Sequence, residues 1–362
     1  NGPGVTGLVT PIKTAYWNHT PMLLVTPQAA NKTMGQGGFQ EVEQMNLFKD
    51  MVCYQEEVRD PSRMAEVLNR VIEKAIRGSA PAQINVPRDY WTQVIDIVLP
   101  PIVRLERPAG GVSAVTEAAK LLSNAKFPVI LSGAGVVLGN AIEDCKKIAE
   151  KLDAPVCSGY QHNDSFPGSH PLAVGPLGYN GSKAAMELIS KADVVLALGT
   201  RLNPFSTLPG YEIDYWPKKA SIIQVDINSD RIGLTKKVTV GICGDAKLVA
   251  QQILAKLSSK AGDTDREKRK ALIHQTKSAW LQMLSSLDHE EDDPGTVWNK
   301  EARERDKDRM SPRMAWRAIQ AGLPDDVIIS SDIGNNCAIG NAYPTFEKGR
   351  KYLAPGLFGP CG

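Results

Sequence analysis

Short apolar runs of strand length alternate with longer amphipathic stretches along most of the chain. Residues 193–199 form such an apolar run, whereas residues 56–77 place apolar side chains three and four positions apart, as a helix requires. Strands that alternate with helices of about a dozen residues are typical of a parallel sheet covered on both faces. The alternation therefore predicts an α/β chain built from doubly wound parallel sheets.

Local signals place the individual elements. Asp60 followed by Pro61 predicts a helix start, and Gly78 predicts its end. The predicted strands are 21–26, 82–86, 128–132, 154–157, 193–198, 221–225 and 326–330. The predicted helices are 5–18, 56–77, 141–152, 182–191 and 314–322.

Composition excludes several classes of protein. The 42 basic residues nearly balance the 40 acidic ones, for a net charge of +2, which argues against nucleic acid as the main partner. No apolar run approaches the roughly 20 residues of a membrane span, so no membrane partner is expected. The six cysteines include no C-x-x-C pair, which argues against a disulfide framework or a zinc site and favours a reducing cytoplasm.

Segments rich in proline, glycine or charged residues divide the chain into regions. Residues 1–95 and 112–257 each alternate strand and helix, with a Pro/Gly-rich linker between them. Residues 258–310 hold 11 basic and 12 acidic residues, which predicts a solvated helical connector, and a further unit covers 311–362. The chain opens on a glycine turn with no strand before it and closes on another such turn, so the first and last units are expected to be truncated.

Two glycine-containing turns could bind phosphate. Gly133, Gly135 and Gly139 follow a strand and precede a helix, which is the setting of a nucleotide-binding turn. Their spacing is G-x-G-x-x-x-G, and no acid ends the next strand, so a tight turn without a ligand is the preferred interpretation. Residues 332–336 follow another strand and offer glycine and amide donors for a phosphate, although they are also ordinary turn residues.

The order of short motifs along the whole chain carries more weight than any one of them. These motifs are 1–6, 37–41, 59–61, 83–89, 128–135, 166–171, 197–201, 224–228, 331–334 and 356–359. Their order resembles the thiamine-diphosphate enzymes of the acetolactate synthase and pyruvate oxidase type, everywhere except near 258–310. Within that family, segments 1–6, 15–17, 37–41 and 356–362 most resemble the sulfoacetaldehyde acetyltransferase branch.

The resemblance implies three doubly wound α/β domains: pyrimidine-binding (1–95, truncated), central and Rossmann-like (112–257), and diphosphate-binding (311–362, truncated). In the family the cofactor lies between domains of two subunits, which implies a homodimer or homotetramer. The implied cofactors are thiamine diphosphate and Mg²⁺. The activating glutamate is expected upstream of Asn1 and the Gly-Asp-Gly metal motif downstream of Gly362, so this chain alone is expected to be inactive, with no metal ligands of its own.

Site residues are carried over by position. Those expected to hold the cofactor are Gly2, Pro3 and Gly4 beside the pyrimidine, Gly334, Asn335 and Asn336 at the diphosphate, and Gly359, Pro360 and Cys361 in the loop that supports the bent cofactor. Phe39 and Gln40 are the candidates for the substrate end. For Gly2, Pro3 and Gly4 the alternative is a structural turn at a helix start. For Phe39 and Gln40 it is a loop anchor and a surface amide, and for Cys361 it is a small buried apolar residue.

Some positions depart from the family pattern. Gly7 replaces the asparagine usual in acetolactate synthases, Asn336 stands where relatives often carry histidine, and Cys361 replaces a common methionine. Gly133, Gly135, Arg201 and Asp226 match the places where acetolactate synthases bind FAD. Because the acetyltransferase branch does not need flavin for its reaction, FAD is not expected, and Arg201 is interpreted as structural.

The implied reaction converts 2-sulfoacetaldehyde and phosphate to acetyl phosphate and sulfite. Both substrates are anions, so cationic or N–H donors are expected near the reacting carbon, although the sequence does not identify an arginine for this role. One alternative is an acetolactate synthase-like carboligase acting on pyruvate. Another is a non-catalytic nucleotide-binding module built on Rossmann-like domains.

Overall fold

The computed structural model describes residues 1–101, 103, 105–258, 263–286, 312–354 and 358–359. The chain forms two compact units, Asn1–Glu106 with Pro355–Gly362, and Arg107–Ala354. Both units contain parallel β-sheets with helices between the strands, which confirms the predicted α/β class.

The first unit is built on a three-stranded parallel sheet in the order β1-β3-β2. Its strands are β1 (Met22–Gln28), β2 (Tyr54–Glu57) and β3 (Pro81–Pro87), and its helices are α1 (Gly2–Thr6), α2 (Val9–Trp17), α3 (Gln44–Leu47) and α4 (Met64–Gly78). One core cluster joins α4 to β3 through buried aliphatic side chains such as Val71 and Ile84. A second cluster joins α1 and α2 to β1 through Val5, Ile12 and Leu24.

Two helix predictions in this unit were wrong in their extent. The single helix predicted over 5–18 is two helices, α1 and α2, because Pro11 has no amide N–H and fits only the first turn of a new helix. The helix predicted over 56–77 starts later, since Pro61 forces Asp60 into an extended conformation. Asp60 does cap the turn that follows, accepting the amide of Ser62 at 2.9 Å, and α4 ends at Gly78 as predicted.

The second unit contains a six-stranded parallel sheet in the order β6-β5-β4-β7-β8-β9. Its strands are β4 (Pro128–Ser132), β5 (Val156–Ser158), β6 (Ala173–Pro176), β7 (Val194–Leu198), β8 (Ser221–Asp226) and β9 (Val240–Cys243). The central strands β4 and β7 are buried along their whole length, as the apolar runs predict. The two edge strands, β6 and β9, were not predicted, because β6 is short and contains Gly175 at φ +93°, and β9 is buried only at alternate residues.

Helices cover this sheet. They are α5 (Val112–Asn124), α6 (Ala134–Leu138), α7 (Ile142–Leu152), α8 (Lys183–Ile189), α9 (Ala246–Lys256) and α10 (Asp263–Ser286). Helix α10 lies in the segment predicted to be a solvated connector, yet Ile273 belongs to the core and Arg269 Nη1 donates to the carbonyl of Lys126 at 2.7 Å. The connector prediction over 287–310 lies outside the described residues.

The last part of the second unit begins with α11 (Pro312–Gly322), which follows the predicted helix closely. A two-stranded parallel sheet pairs β10 (Ile329–Ser330) with β11 (Tyr352–Leu353), and α12 (Asn335–Ala342) lies between these strands along the chain. Strand β10 is shorter than the predicted strand. In the part of the chain that the structure describes, no helix is both long enough and apolar enough to cross a membrane.

Candidate functional site

The first turn of α1 meets the glycine loop at 37–41. The Gly2 amide donates to the carbonyl of Gln40 at 3.2 Å, and a β-carbon on Gly2 would stand 2.7 Å from that oxygen. Gln40 adopts a left-handed conformation, with φ +59°, which turns its carbonyl towards the helix. The structure therefore brings together two segments that were assigned to the site separately.

Glu41 closes this glycine loop. Its carboxylate accepts the backbone amides of Gly35 at 2.6 Å and Gly38 at 3.0 Å, and these hydrogen bonds lower the pKa of Glu41. The loop presents Phe39 to solvent with 81 % of its surface exposed, which is unusual for a large apolar side chain. An exposed aromatic ring on a loop that is held by hydrogen bonds suits contact with a ligand or a partner.

The other predicted residues of the first unit give less information. Pro3 and Gly4 lie in α1, and a β-carbon on Gly4 would meet nothing within 4 Å. Gly359 has φ +55°, a conformation that favours glycine. Pro360 and Cys361 lie outside the described residues, so their assignment to the cofactor loop stays a prediction.

In the second unit, Gly334 occupies the turn that joins β10 to α12. Its dihedral angles, φ +88° and ψ −147°, belong to a region that is essentially restricted to glycine. Among the described residues, none has an atom within 4 Å of a β-carbon at Gly334, so this part of the chain leaves space beside the turn. Asn335 and Asn336 form the first turn of α12, where backbone amides have no partner within the helix. Open space at such a helix start fits a diphosphate group.

The loop after β5 holds α12 in place. The Gln161 amide donates to Asn341 Oδ1 at 2.7 Å, Asn341 Nδ2 donates to the carbonyl of Tyr179 at 2.9 Å, and Asn163 Nδ2 donates to the carbonyl of Asn341 at 2.8 Å. Cys337, fully buried, contacts the hydroxyl of Tyr160 at 3.1 Å. The loop after β5 thus positions the helix that begins with two predicted site residues, Asn335 and Asn336.

The glycine turn after β4 packs against the backbone of the turn after β7. A β-carbon on Gly133 would stand 2.6 Å from the carbonyl oxygen of Gly199, and one on Gly135 would stand 2.7 Å from the α-carbon of Gly199. The Gly135 amide donates to that same carbonyl at 2.8 Å. Packing between two turns therefore explains these glycines without any ligand.

Arg201 and Asp226 lie at the carboxyl ends of β7 and β8 in the central sheet. Burial, with a contribution from Arg231, lowers the pKa of Arg201 to about 10. Burial raises the pKa of the Asp226 carboxyl, whose Oδ1 accepts the amide of Asn228 at 2.9 Å. The predictions that Arg201 is structural and that FAD is not bound here stay predictions.

The described residues contain no group of three or more His, Cys, Asp or Glu side chains arranged to hold a metal ion. Sequence reasoning did not assign roles to Glu41, Gln161, Asn163, Cys337 or Asn341. Glu41 had a local signal, since an acid after a glycine-rich turn can accept the turn's amides. The others act over long separations along the chain that motif spacing cannot show.

Residues 115–253 match the family model described as thiamine pyrophosphate enzyme, central domain. The matched residues cover the sheet and helices that position Arg201, Asp226 and the loop after β5. Residues 115–253 are therefore a central domain of the thiamine pyrophosphate enzyme type.

Curated relatives extend this match over the whole chain. A protein of Rhizobium meliloti (strain 1021) named probable sulfoacetaldehyde acetyltransferase is 79 % identical over all 362 residues, which cover 61 % of its length. A sulfoacetaldehyde acetyltransferase of Roseovarius nubinhibens is 78 % identical, with 60 % of its length covered. A probable acetolactate synthase large subunit of Methanocaldococcus jannaschii is 33 % identical over 79 % of this chain and 47 % of its own length. The chain spans about three fifths of the length of the acetyltransferase relatives.

Proposed function

We propose that the full-length protein is a sulfoacetaldehyde acetyltransferase that uses thiamine diphosphate and Mg²⁺. One observation carries the proposal: five relatives with that name are 45 to 79 % identical over the whole chain, whereas three relatives named acetolactate synthase are 28 to 33 % identical. The reaction would join phosphate to the two-carbon unit of 2-sulfoacetaldehyde, releasing sulfite and giving acetyl phosphate.

The residues present suit the cofactor. The open turn at Gly334 and the first turn of α12 would bind the diphosphate through backbone amides. Gly2, Pro3 and Gly4 would face the pyrimidine, Gly359, Pro360 and Cys361 would support the bent conformation, and Phe39 and Gln40 would line the substrate end. When bound, thiamine diphosphate would supply the nucleophilic carbon that adds to the aldehyde and the electrons that expel sulfite.

Glu41 and Asn341 would act by positioning. Glu41 fixes the loop that carries Phe39 and Gln40, and Asn341 fixes the helix that follows Gly334. Held in this way, the loop and the helix would contribute to catalysis by ordering the bound groups before reaction. No flavin is part of the proposal.

The assembly and the compartment are also proposals. A homodimer or homotetramer follows from the family arrangement, in which two subunits share each cofactor. The cytoplasm is supported by the thiols, because the five described cysteines are all free.

The test is a turnover assay on the full-length protein with 2-sulfoacetaldehyde, phosphate, thiamine diphosphate and Mg²⁺. We expect sulfite and acetyl phosphate to form in equal amounts, and neither to form when the cofactor is omitted. Acetolactate formation from pyruvate, without sulfite release from sulfoacetaldehyde, would replace the proposal with the carboligase alternative. Folded protein that turns over neither substrate would favour the binding module.

A further inference from the structure

A cavity of about 560 Å³ lies within the second unit, bordered by β6, α10 and α11. This volume falls in the range of roughly 300 to 1,000 Å³ that is usual for small-molecule sites. The cavity contains none of the residues assigned above to the cofactor or the substrate. It therefore requires a separate explanation.

Aromatic side chains form much of the wall. Trp280 and Trp316 line the cavity together with Phe166 and Tyr343. Neighbours fix both indoles: Trp280 packs edge-on against Tyr211 with 5.5 Å between ring centroids, and Trp316 Nε1 donates to Gln320 Oε1 at 3.2 Å. The indole rings thus provide rigid apolar surface that suits a flat ring system.

Among the described residues that line the cavity, every charged side chain is basic. These side chains are Lys277, Arg313 and Arg317. Lys277 Nζ donates to the carbonyl of His170 at 3.1 Å, and burial lowers the pKa of this amine. Among the residues that the structure describes, no carboxylate lies within ion-pair distance of Lys277 Nζ. A partly buried cation without an acidic neighbour favours an anion from outside the chain.

One buried acceptor completes the lining. Asn163 is 8 % exposed, and its Nδ2 donates to the carbonyls of Asn341 and Pro344. Its Oδ1 has no hydrogen-bond partner among the described residues. Because a buried acceptor without a partner is costly, a water that accompanies a bound anion would stabilise this site.

We propose that this cavity binds an aromatic organic anion, of the class of aryl carboxylates. The ring would lie against the indoles of Trp280 and Trp316, and the carboxylate would be held by Lys277. The site is separate from the proposed turnover site, and the inference does not depend on the proposed reaction.

The test is calorimetric titration of the full-length protein, saturated with thiamine diphosphate and Mg²⁺, with 2-naphthoate. The neutral isostere 2-naphthamide is titrated in parallel. We expect one molecule of 2-naphthoate per chain, bound about tenfold more tightly than the amide, because only the carboxylate carries a charge opposite to that of Lys277. Lys277→Met, which keeps the apolar stem, should abolish the difference between the two probes.

Two further variants keep the test decisive. Lys268→Met changes an exposed lysine of the same helix that does not line the cavity, and it should bind 2-naphthoate as the parent does. Trp316→Leu should weaken both probes. Equal affinity for the acid and the amide, no binding of either, or an equal loss in Lys268→Met and Lys277→Met would overturn the proposal.

Discussion

The Gly2 amide donates a hydrogen bond to the carbonyl of Gln40, with 3.2 Å between nitrogen and oxygen. This contact ties the first turn of α1 to the loop that presents Phe39. It also leaves no room for a side chain on Gly2, because a β-carbon there would stand 2.7 Å from the carbonyl oxygen. The contact between the first turn of α1 and the loop is therefore made by backbone atoms.

Gly2→Ala should destabilise the full-length protein by about 1 to 3 kcal/mol, because the added methyl group forces the loop away from α1. Gly4→Ala is the matched control in the same helix, where a β-carbon meets nothing within 4 Å. That change should be neutral or should stabilise by up to about 1 kcal/mol. Urea unfolding of both variants measures the difference, and equal midpoints would contradict the packing described here.

Glu41→Gln should loosen the loop at 35–41, because an amide oxygen accepts the Gly35 and Gly38 amides more weakly than a carboxylate does. Hydrogen-exchange protection of those two amides should fall. Glu43→Gln is the control, since this nearby acid is exposed and has no described hydrogen bond to its side chain. Loss of protection in both variants would show that loop order does not depend on the Glu41 carboxylate.

The same carboxylate predicts a pH dependence. The pKa of Glu41 is lowered from 4.5 in the folded chain, so its stabilising effect is complete above pH 4.5 and is lost as pH falls through the lowered value. Protection of the Gly35 and Gly38 amides, corrected for intrinsic exchange, should therefore drop in acid. Glu41→Gln should show no such transition, and an unchanged transition in that variant would assign it to another group.

Gly334→Ala should lower stability by about 1 to 3 kcal/mol, because φ +88° with ψ −147° is strained for any residue with a β-carbon. We also expect weaker binding of thiamine diphosphate, measured by calorimetry on the full-length protein. Gly322→Ala, at the end of α11 with open space and an ordinary φ, should change neither quantity by more than about 0.5 kcal/mol. Normal cofactor binding by a destabilised Gly334→Ala would separate the fold of this turn from the proposed diphosphate site.

Asn341→Leu should cost about 2 to 5 kcal/mol, since it leaves the buried amide of Gln161 and the carbonyl of Tyr179 without their partner. Asn124→Ala, which removes only an exposed local bond to the carbonyl of Lys120, should change stability by less than about 0.5 kcal/mol. Chemical denaturation compares the two. A small effect at Asn341 would mean that α12 is held chiefly by its apolar contacts.

Much of this fold was predictable because its strongest signals are local. The buried strands β4 and β7 appear as apolar runs, and Asp60 with Pro61 marks the true start of a helical segment. The edge strands lack such runs, because β6 is short and contains Gly175 and β9 is buried only at alternate residues. Helix α10 was assigned to a connector because residues 258–310 are dense in nearly balanced charge, whereas burial of Ile273 depends on packing against the core of the second unit.

For the candidate site, the sequence predicted which positions belong to it but not the contacts between them. Resemblance placed Gly2 and Gln40 in separate motifs, and their hydrogen bond depends on the tertiary path of the chain. The roles of Gln161 and Asn341 were not predictable for the same reason, because each is an unremarkable polar residue until the other is beside it.

The contact of Gly133 and Gly135 with Gly199 affects how a glycine motif of the nucleotide-binding type is interpreted. Where the backbones of two turns are in direct contact, a side-chain methyl group does not fit, whether or not a dinucleotide binds nearby. A glycine pattern at this point of a parallel sheet is thus a requirement of the scaffold first. Whether a relative with the same glycines carries flavin must be decided from side chains elsewhere in its central domain.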